Sequence, residues 1–296
     1  MAINEPQPVG PALRLLGKIS RNTPYFRGKW RLQEWLFHRC FKQSGYCEVA
    51  PLNRQLEMRC HLSDEVQYAI WMGGEQYERG PKRYFKSRLR NGMVVLDIGA
   101  NVGFHSLLAS RAVGAGGQVH AFEPVRRQFE DLQWNLERNR AANVTANRLI
   151  VLDSPGEKVI YLGEPGNSGS ASMAFAPEHE SEQETVMATT LDAYAEAKAL
   201  PRVDIIKIDV EGHEMAVLNG APHTLHTRPI LLLEVMHHLP KRAGSSSAEL
   251  FSATAGLGYA PHAIHLDGHT TPLTAPQDGQ IIAFLPRDGG EHSPAR

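Results

Sequence analysis

Long apolar runs are missing from this chain. A strongly apolar stretch such as residues 230–233 falls far short of the roughly 20 residues that a membrane-spanning helix needs. Cysteine is scarce as well. Cys40, Cys47 and Cys60 make an odd set with no C-x-x-C pair, which argues against a disulfide scaffold and against a cysteine zinc site. The N-terminus, Met1-Ala2-Ile3-Asn4-Glu5-Pro6, has no basic start leading into an apolar stretch, so no secretory signal is read there and the cytoplasm is the expected compartment. Internal repeats and long low-complexity tracts are also absent. What is present is an ordinary globular composition, 42% hydrophobic and 21% charged, in a length of 296 residues that suits one large domain with an appendage.

Net charge is −1, but it is unevenly spread. Residues 11–45 carry Arg14, Lys18, Arg21, Arg27, Lys29, Arg31, Arg39 and Lys42 against one acid, Glu34, so this stretch is +7 and the rest of the chain is −8. Its aromatics Trp30, Trp35, Phe37 and Phe41 fit an interfacial helix. They equally fit a helix packed on the main domain, and packing is the favoured reading because a coherent apolar face does not stay uncovered in a soluble monomer. The spacing predicts that helix over residues 29–42, with Leu32, Trp35, Leu36 and Cys40 on the inner face.

After a proline-rich start, residues 47–62 read as two short strands around Pro51-Leu52-Asn53, and Ser63-Asp64-Glu65 opens a helix through Trp71. A regular alternation then begins. Strands are expected over 93–98, 118–123, 144–152, 203–209 and 230–235, with helices over 104–113, 125–140, 215–219 and 246–257. Residues 153–190 interrupt as loops and a short hairpin, and 259–265 with 280–285 form a final antiparallel pair. The division follows: 1–48 a tail and basic amphipathic helix, 49–90 a hairpin and helix leading into the core, 91–286 the ligand-binding domain with its insertion at 153–190, and 287–296 a polar tail. Strand and helix alternating in this way form an α/β, doubly wound, mostly parallel sheet, with ligands beyond the carboxyl ends of the strands.

The strongest motif is Val94-Val95-Leu96-Asp97-Ile98-Gly99-Ala100-Asn101-Val102-Gly103-Phe104-His105. A buried strand ends in an acid, turns through two glycines that let a ligand approach the main chain, and enters a helix. Glu123, in Ala121-Phe122-Glu123-Pro124, closes the next strand 20 residues after Gly103, where a carboxylate can accept both hydroxyls of an adenosine ribose. A dinucleotide site would use G-x-G-x-x-G to rest a pyrophosphate on the helix N-terminus. Here Asp97 precedes the first glycine, which repels a pyrophosphate and suits an ammonium-bearing ligand such as S-adenosylmethionine.

The second motif is Val203-Asp204-Ile205-Ile206-Lys207-Ile208-Asp209-Val210-Glu211-Gly212-His213-Glu214. Lys207, Asp209 and Glu211 fall at alternate positions, so they are expected on one face, and Glu234 adds a third carboxylate to the same rim. Such clustering is costly unless the groups serve one another or a ligand.

Together, "DIGANVGFHS", "AFEP" and "DIIKIDVEGHEMAVLNGA" make the chain resemble the FkbM family of S-adenosylmethionine-dependent methyltransferases over roughly residues 60–240. The resemblance implies a Rossmann-like methyltransferase sheet with a small N-terminal helical and hairpin extension, and O-methylation of sugars, glycolipids, polysaccharides or polyketide-type products. By position it implies Asp97, Gly99, Asn101, Gly103 and Glu123 for the cofactor, and Lys207, Asp209, Glu211 and Glu214 for the second block.

In-line transfer from a sulfonium to a hydroxyl needs alignment and a proton acceptor. Asp209 leads as base, with His213, His237 and His238 as alternatives. A magnesium ion on Asp209, Glu211 and Glu234 is a second reading, and structural pairing of Lys207 with Glu211 or Glu234 a third. The resemblance also implies a contact to the adenine amino group for Asp153, after the third strand, though Asp-Ser-Pro-Gly is equally an ordinary turn. Asn167, Ser168 and Ser170 read as surface linker, and His105 as a structural residue without a partner. The expected partner is a small-molecule, glycan or glycolipid acceptor, with no nucleic acid, and with residues 11–45 available for peripheral membrane contact. A catalytically silent cofactor-binding protein and a nucleic-acid methyltransferase are the competing functions. The intact acidic rim argues against the first, and the lack of an Asn/Asp-Pro-Pro-Tyr block against the second.

Overall fold

The continuous apolar runs around the two motifs become the central strands of one sheet, and everything else is arranged around them. The computed structural model describes residues 8–24, 28–53, 55–162, 166–169, 182–235, 246–275 and 280–287. Helices α1 (Pro11–Asn22) and α2 (Lys29–Leu36, continued by a π turn over Phe37–Phe41) precede a hairpin of β1 (Cys47–Pro51) and β2 (Glu57–His61), then α3 (Glu65–Gly73) and α4 (Arg79–Arg88). The alternating region follows as β3 (Val94–Ile98), α5 (Phe104–Val113), β4 (Gln118–Phe122), α6 (Arg126–Arg138), β5 (Val144–Asn147), β6 (Ile150–Val151), β7 (Gly156–Tyr161) and β8 (Gln183–Thr189). It continues through α7 (Leu191–Ala197), β9 (Ile205–Ile208), α8 (Glu214–Asn219), α9 (Pro222–His226), β10 (Ile230–Val235), α10 (Ser247–Gly256), β11 (Tyr259–Ile264), β12 (Thr270–Pro272) and β13 (Gln280–Pro286).

Eight strands form the main sheet in the order β12-β11-β13-β10-β9-β3-β4-β5. Neighbours from β10 to β5 are parallel, while β13 runs antiparallel to both β10 and β11. Every residue of β3 and β9 is buried, which is why both read as unbroken apolar runs rather than alternating ones. From β3 the chain steps outward to β4 and β5, then returns to lay β9 on the other side of β3. The direction of winding therefore reverses between β3 and β9, and a crevice opens at their carboxyl ends.

The expected strand over 144–152 is in fact two. β5 belongs to the main sheet, whereas β6 pairs with β8 in a separate sheet of order β6-β8-β7. The break has a physical cause: Ile150, Val151 and Leu152 are buried, and Ile150 and Leu152 join Ile160, Val186 and Ala188 in a small apolar cluster of their own. One apolar run in the sequence thus serves two cores. The short hairpin expected among the loops of 153–190 is the antiparallel pair β7 and β8 of that second sheet, and α1, α4, α7, α9 and β12 are elements that pattern alone did not mark.

Helix α2 with its π turn keeps half of its expected facing: Leu36 and Cys40 pack on the core. Its buried positions are Lys29, Phe37 and Phe41, while Leu32 and Trp35 are exposed. Phe37 and Phe41 pack at a tilt against Tyr68, and Phe41 against Trp71 of α3, at ring separations of 5.0–5.7 Å, and this aromatic cluster sets the rotation of the helix. Lys29 is turned inward because its Nζ donates to the carbonyls of Ser20 and Thr23, closing the C-terminal end of α1. Gly17 of α1 faces the Trp71 indole so closely that a Cβ would lie 2.5 Å from it.

Candidate functional site

A cleft of about 290 Å³ lies at the carboxyl ends of β3, β4 and β9. Its floor is the turn after β3. Gly99 has φ +77°, and a Cβ there would stand 1.8 Å from the carbonyl oxygen of Asp209, so the two sequence motifs touch at this residue. Gly103 does not line the cleft; it lets α5 start against Leu132, whose Cδ1 would sit 2.6 Å from an added Cβ. Asp97 is also behind the cleft rather than in it. Its Oδ2 accepts from the Ser106 hydroxyl at 2.6 Å, and it lies directly across the β3–β9 pair from Lys207.

Glu123 is the best-fixed acid in the cleft. Its Oε2 accepts from the backbone N–H of Asn101 at 2.8 Å and its Oε1 from that of Val125 at 2.9 Å. Asn101 reaches it by adopting a left-handed backbone, φ 48°. Burial pushes the Glu123 carboxyl up to about 7, against the pull of those two amides.

On the β9 side, Lys207, Asp209, Glu211 and His213 all line the cleft, joined by Glu234 from the end of β10. Strand alternation accounts only for Lys207. Glu211 arrives through a tight turn in which it takes φ 50°, held by Glu214, whose Oε1 accepts from the Gly212 amide at 3.2 Å. Lys207 Nζ donates to Asp209 Oδ2 at 2.8 Å. Burial alone would raise the Asp209 carboxyl, but the Lys207 charge and hydrogen bonds from Glu234 and Lys207 hold it below the usual carboxylate range. Glu234 moves the opposite way, raised chiefly by the Asp209 charge and then by burial. Burial, with Asp209 and Glu214 nearby, pushes Glu211 up to about 8. Burial lowers His213 below its ordinary value, against the pull of the Val210 and Glu211 backbone. His237 and His238 lie outside the described residues.

Raised carboxyls have a consequence for stability. The ordinary value is 4.5, so between there and about 8 the native state holds the Glu211 proton that the unfolded chain has released. Stability therefore falls as pH rises through this window, at up to about 1.4 kcal/mol per pH unit for one proton. Thermal melts of the unliganded protein are expected to show Glu211→Gln with a flatter decline than wild type on approaching pH 8. Parallel curves would show that Glu211 is not held protonated.

Sequence reasoning missed Tyr77 and Glu78. Both line the cleft from the start of α4, and Glu78 has a left-handed backbone, φ 41°. His105, read as partnerless, has its Nε2 3.2 Å from Glu78 Oε2. Burial opposes the charge on Glu78, but His105 and Lys207 hold its carboxyl below the usual range. No spacing rule links Glu78 to His105; only the packing of α4 on α5 does. Three non-glycine residues of the cleft, Glu78, Asn101 and Glu211, thus have left-handed backbones, a strain that marks functional sites.

Asn167, Ser168 and Gly169 also line the cleft instead of forming surface linker. The backbone N–H and the hydroxyl of Ser168 both donate to Asp64, which caps α3 by accepting from Gln67 N, and Asn101 Nδ2 donates to Ser168 Oγ. Ser170 lies outside the described residues. Asp153 is not among the described residues that line the cleft. It is exposed, its Oδ1 accepting from Ser154, and the cleft wall ends at Leu152.

The profile of the methyltransferase FkbM domain matches residues 97–289. The chain belongs to the FkbM methyltransferase family. Among curated relatives, hexuronic acid methyltransferase AglP of Haloferax volcanii is 28% identical over 152 residues, covering 48% of this chain and 55% of that protein. The 31-O-demethyl-FK506 methyltransferase FkbM of Streptomyces tacrolimicus is 31% identical over 160 residues, covering 45% of this chain and 60% of that protein. The chain thus spans little more than half the length of these FkbM-type relatives. A solved FkbM methyltransferase from Methylobacillus flagellatus is 16% identical, covers 79% of this chain and 56% of its own, and superposes with a TM-score of 0.43.

Proposed function

We propose that this protein transfers the methyl group of S-adenosylmethionine to a hydroxyl oxygen of a sugar, glycolipid or polyketide-type acceptor. Glu123 carries the reading: a buried carboxylate fixed by two backbone amides at the end of β4, with lone pairs left for the two ribose hydroxyls. Apolar side chains of Phe122, Val125, Leu149 and Leu152 form a wall suited to a flat base. Asn101 Oδ1 is buried without a hydrogen-bond partner, an acceptor suited to an ammonium group. The relatives named for a hexuronic acid and for 31-O-demethyl-FK506 support an oxygen-bearing small molecule as acceptor.

When bound, the cofactor supplies an electrophilic methyl on sulfur; the S–CH₃ bond breaks as the O–CH₃ bond forms, and the hydroxyl proton must leave. Asp209 takes that proton. Of the three rim carboxyls, it alone is held ionised, because Lys207 neutralises it from behind while Glu211 and Glu234 are shifted toward their protonated forms. Glu78 and Glu234 line both this cleft and a second, more open groove of about 800 Å³ that is also walled by His265, Thr271 and Gln280. An acceptor lying in that groove would present its hydroxyl at the Asp209–Glu234 pair.

A second reading assigns the proton to Glu211, favoured by its position near neutral pH. It predicts a rate that climbs with pH through about 8, whereas the Asp209 reading predicts no inflection there. The three carboxylates Asp209, Glu211 and Glu234 have oxygens within 4.8 Å of one another, the donor chemistry of a divalent-cation site. Lys207 already occupies one oxygen of Asp209, and Glu234 gives its hydrogen bond to the same group, so these residues fit an ion poorly and no step is assigned to one.

Glu123→Ala tests the cofactor assignment. Removing a carboxylate that accepts two ligand hydroxyls is expected to weaken S-adenosylmethionine binding by about 1.5–3 kcal/mol in calorimetric titration. Unchanged affinity would remove Glu123 from the site and the proposed cofactor from this cleft.

A further inference from the structure

Helices α1 and α2 pack inward on α3, yet their outward faces carry the densest exposed apolar surface among the described residues. Leu15, Ile19, Trp30, Leu32 and Trp35 are each 50–60% exposed, and they make up half of the ten large hydrophobic side chains left exposed. Leu15, Lys18 and Ile19 share one side of α1, opposite buried Gly17. Arg31, Trp35 and Arg39 run along the outer side of the second helix, opposite Lys29, Phe37 and Phe41. The two helices are tied together by Lys29 Nζ on the Ser20 and Thr23 carbonyls and by Gln33 Nε2 on the Ser20 hydroxyl, so these outward faces adjoin.

The charges on that surface are one-sided. Of the eight basic side chains between residues 11 and 45, Arg14 is paired with Glu48, Arg21 donates to the Trp71 carbonyl, and Lys29 closes α1. Lys18, Arg31, Arg39 and Lys42 are exposed, no ion pair involves them among the described residues, and Arg27 lies outside those residues. Only Glu34 opposes them in this stretch.

We propose that the outer face of α1 and α2 is a docking surface for an anionic lipid bilayer. Two half-exposed indoles and three aliphatic side chains enter the headgroup boundary, while Lys18, Arg31, Arg39 and Lys42 meet lipid phosphates. A second copy of the chain is a poorer occupant, since a two-fold interface would set this cationic rim against its own twin. Nucleic acid would answer the charges but leave Leu15, Ile19 and Leu32 unsatisfied.

Flotation of the full chain with phosphatidylcholine vesicles, with and without phosphatidylglycerol, tests this. Binding is expected to the anionic vesicles and to fall about tenfold or more without phosphatidylglycerol. W30S/W35S should lose a similar factor, K18E/R39E likewise, and added salt should weaken the wild type. The altered side chains are exposed, so melting temperatures should match wild type and any loss is not a folding failure. The proposal is overturned if wild type ignores anionic vesicles or if both double variants bind as well as it does. It is equally overturned if sedimentation shows a dimer that W30S/W35S dissociates, or if the basic face retains an RNA homopolymer and not vesicles.

Discussion

Asp209→Asn is expected to lower kcat by about 10²–10⁴-fold while leaving S-adenosylmethionine affinity nearly unchanged, because it removes the proton acceptor and keeps the shape of the side chain. The variant should fold. Lys207 does not lose all its compensation, since Asp97 and Glu78 also stabilise its charge, and Glu234 is free to ionise once the Asp209 charge is gone. The measurement is a single-turnover rate beside a calorimetric titration on the same preparation. In wild type, EDTA should leave the rate unchanged, as Lys207 already supplies the positive charge beside Asp209. Full activity in Asp209→Asn would move the proton to Glu211 or His213, and the rise of rate through pH 8 would then separate those two. An EDTA-sensitive rate restored by magnesium would instead turn the three carboxylates into metal ligands.

Gly99→Ala should be the most damaging single added methyl group among the described glycines. The added carbon meets a backbone carbonyl at 1.8 Å, not the end of a flexible side chain, and the backbone there is left-handed. Either the turn after β3 or the turn after β9 must move, and both carry site residues. A loss of about 3–5 kcal/mol is expected in urea unfolding, a large part of the stability of an ordinary domain. Gly92→Ala is the matched control. Its φ of +82° is similar, but nothing lies within 4 Å of the new carbon, so only the conformational cost of about 1 kcal/mol remains. Equal losses in the two variants would show that strain, and not the close approach of the motifs, makes Gly99 necessary.

The Gly99 case also shows what kind of reading succeeded. A glycine at the end of an apolar strand was legible as a place of close approach; Gly99 lines the cleft, and its missing side chain also makes room for the Asp209 carbonyl, which the sequence did not show. The helix over 29–42 was legible as a helix, and its facing only in part: Leu36 and Cys40 pack inward as spacing favours, but the Phe37–Phe41–Tyr68–Trp71 cluster turns Leu32 and Trp35 outward. Asp153 was placed by its position after an apolar run. That run divides between two sheets and leaves Asp153 outside, exposed to water.

By itself the sequence determined the alternating α/β pattern, the acids that end β3 and β4, and the Lys207–Asp209–Glu211 block, because each depends on neighbours a few residues apart. Periodic burial and strand-end chemistry are local, and local information is written in order along the chain. Tertiary structure alone decided that Glu78 meets His105, that Ser168 is stitched to Asp64, and that Lys207 pulls the Asp209 carboxyl down while Asp209 pushes Glu234 up. It also decided that Trp30 and Trp35 face outward. These depend on distances between segments far apart in sequence and on the low dielectric of a buried cleft, and neither exists until the chain has folded.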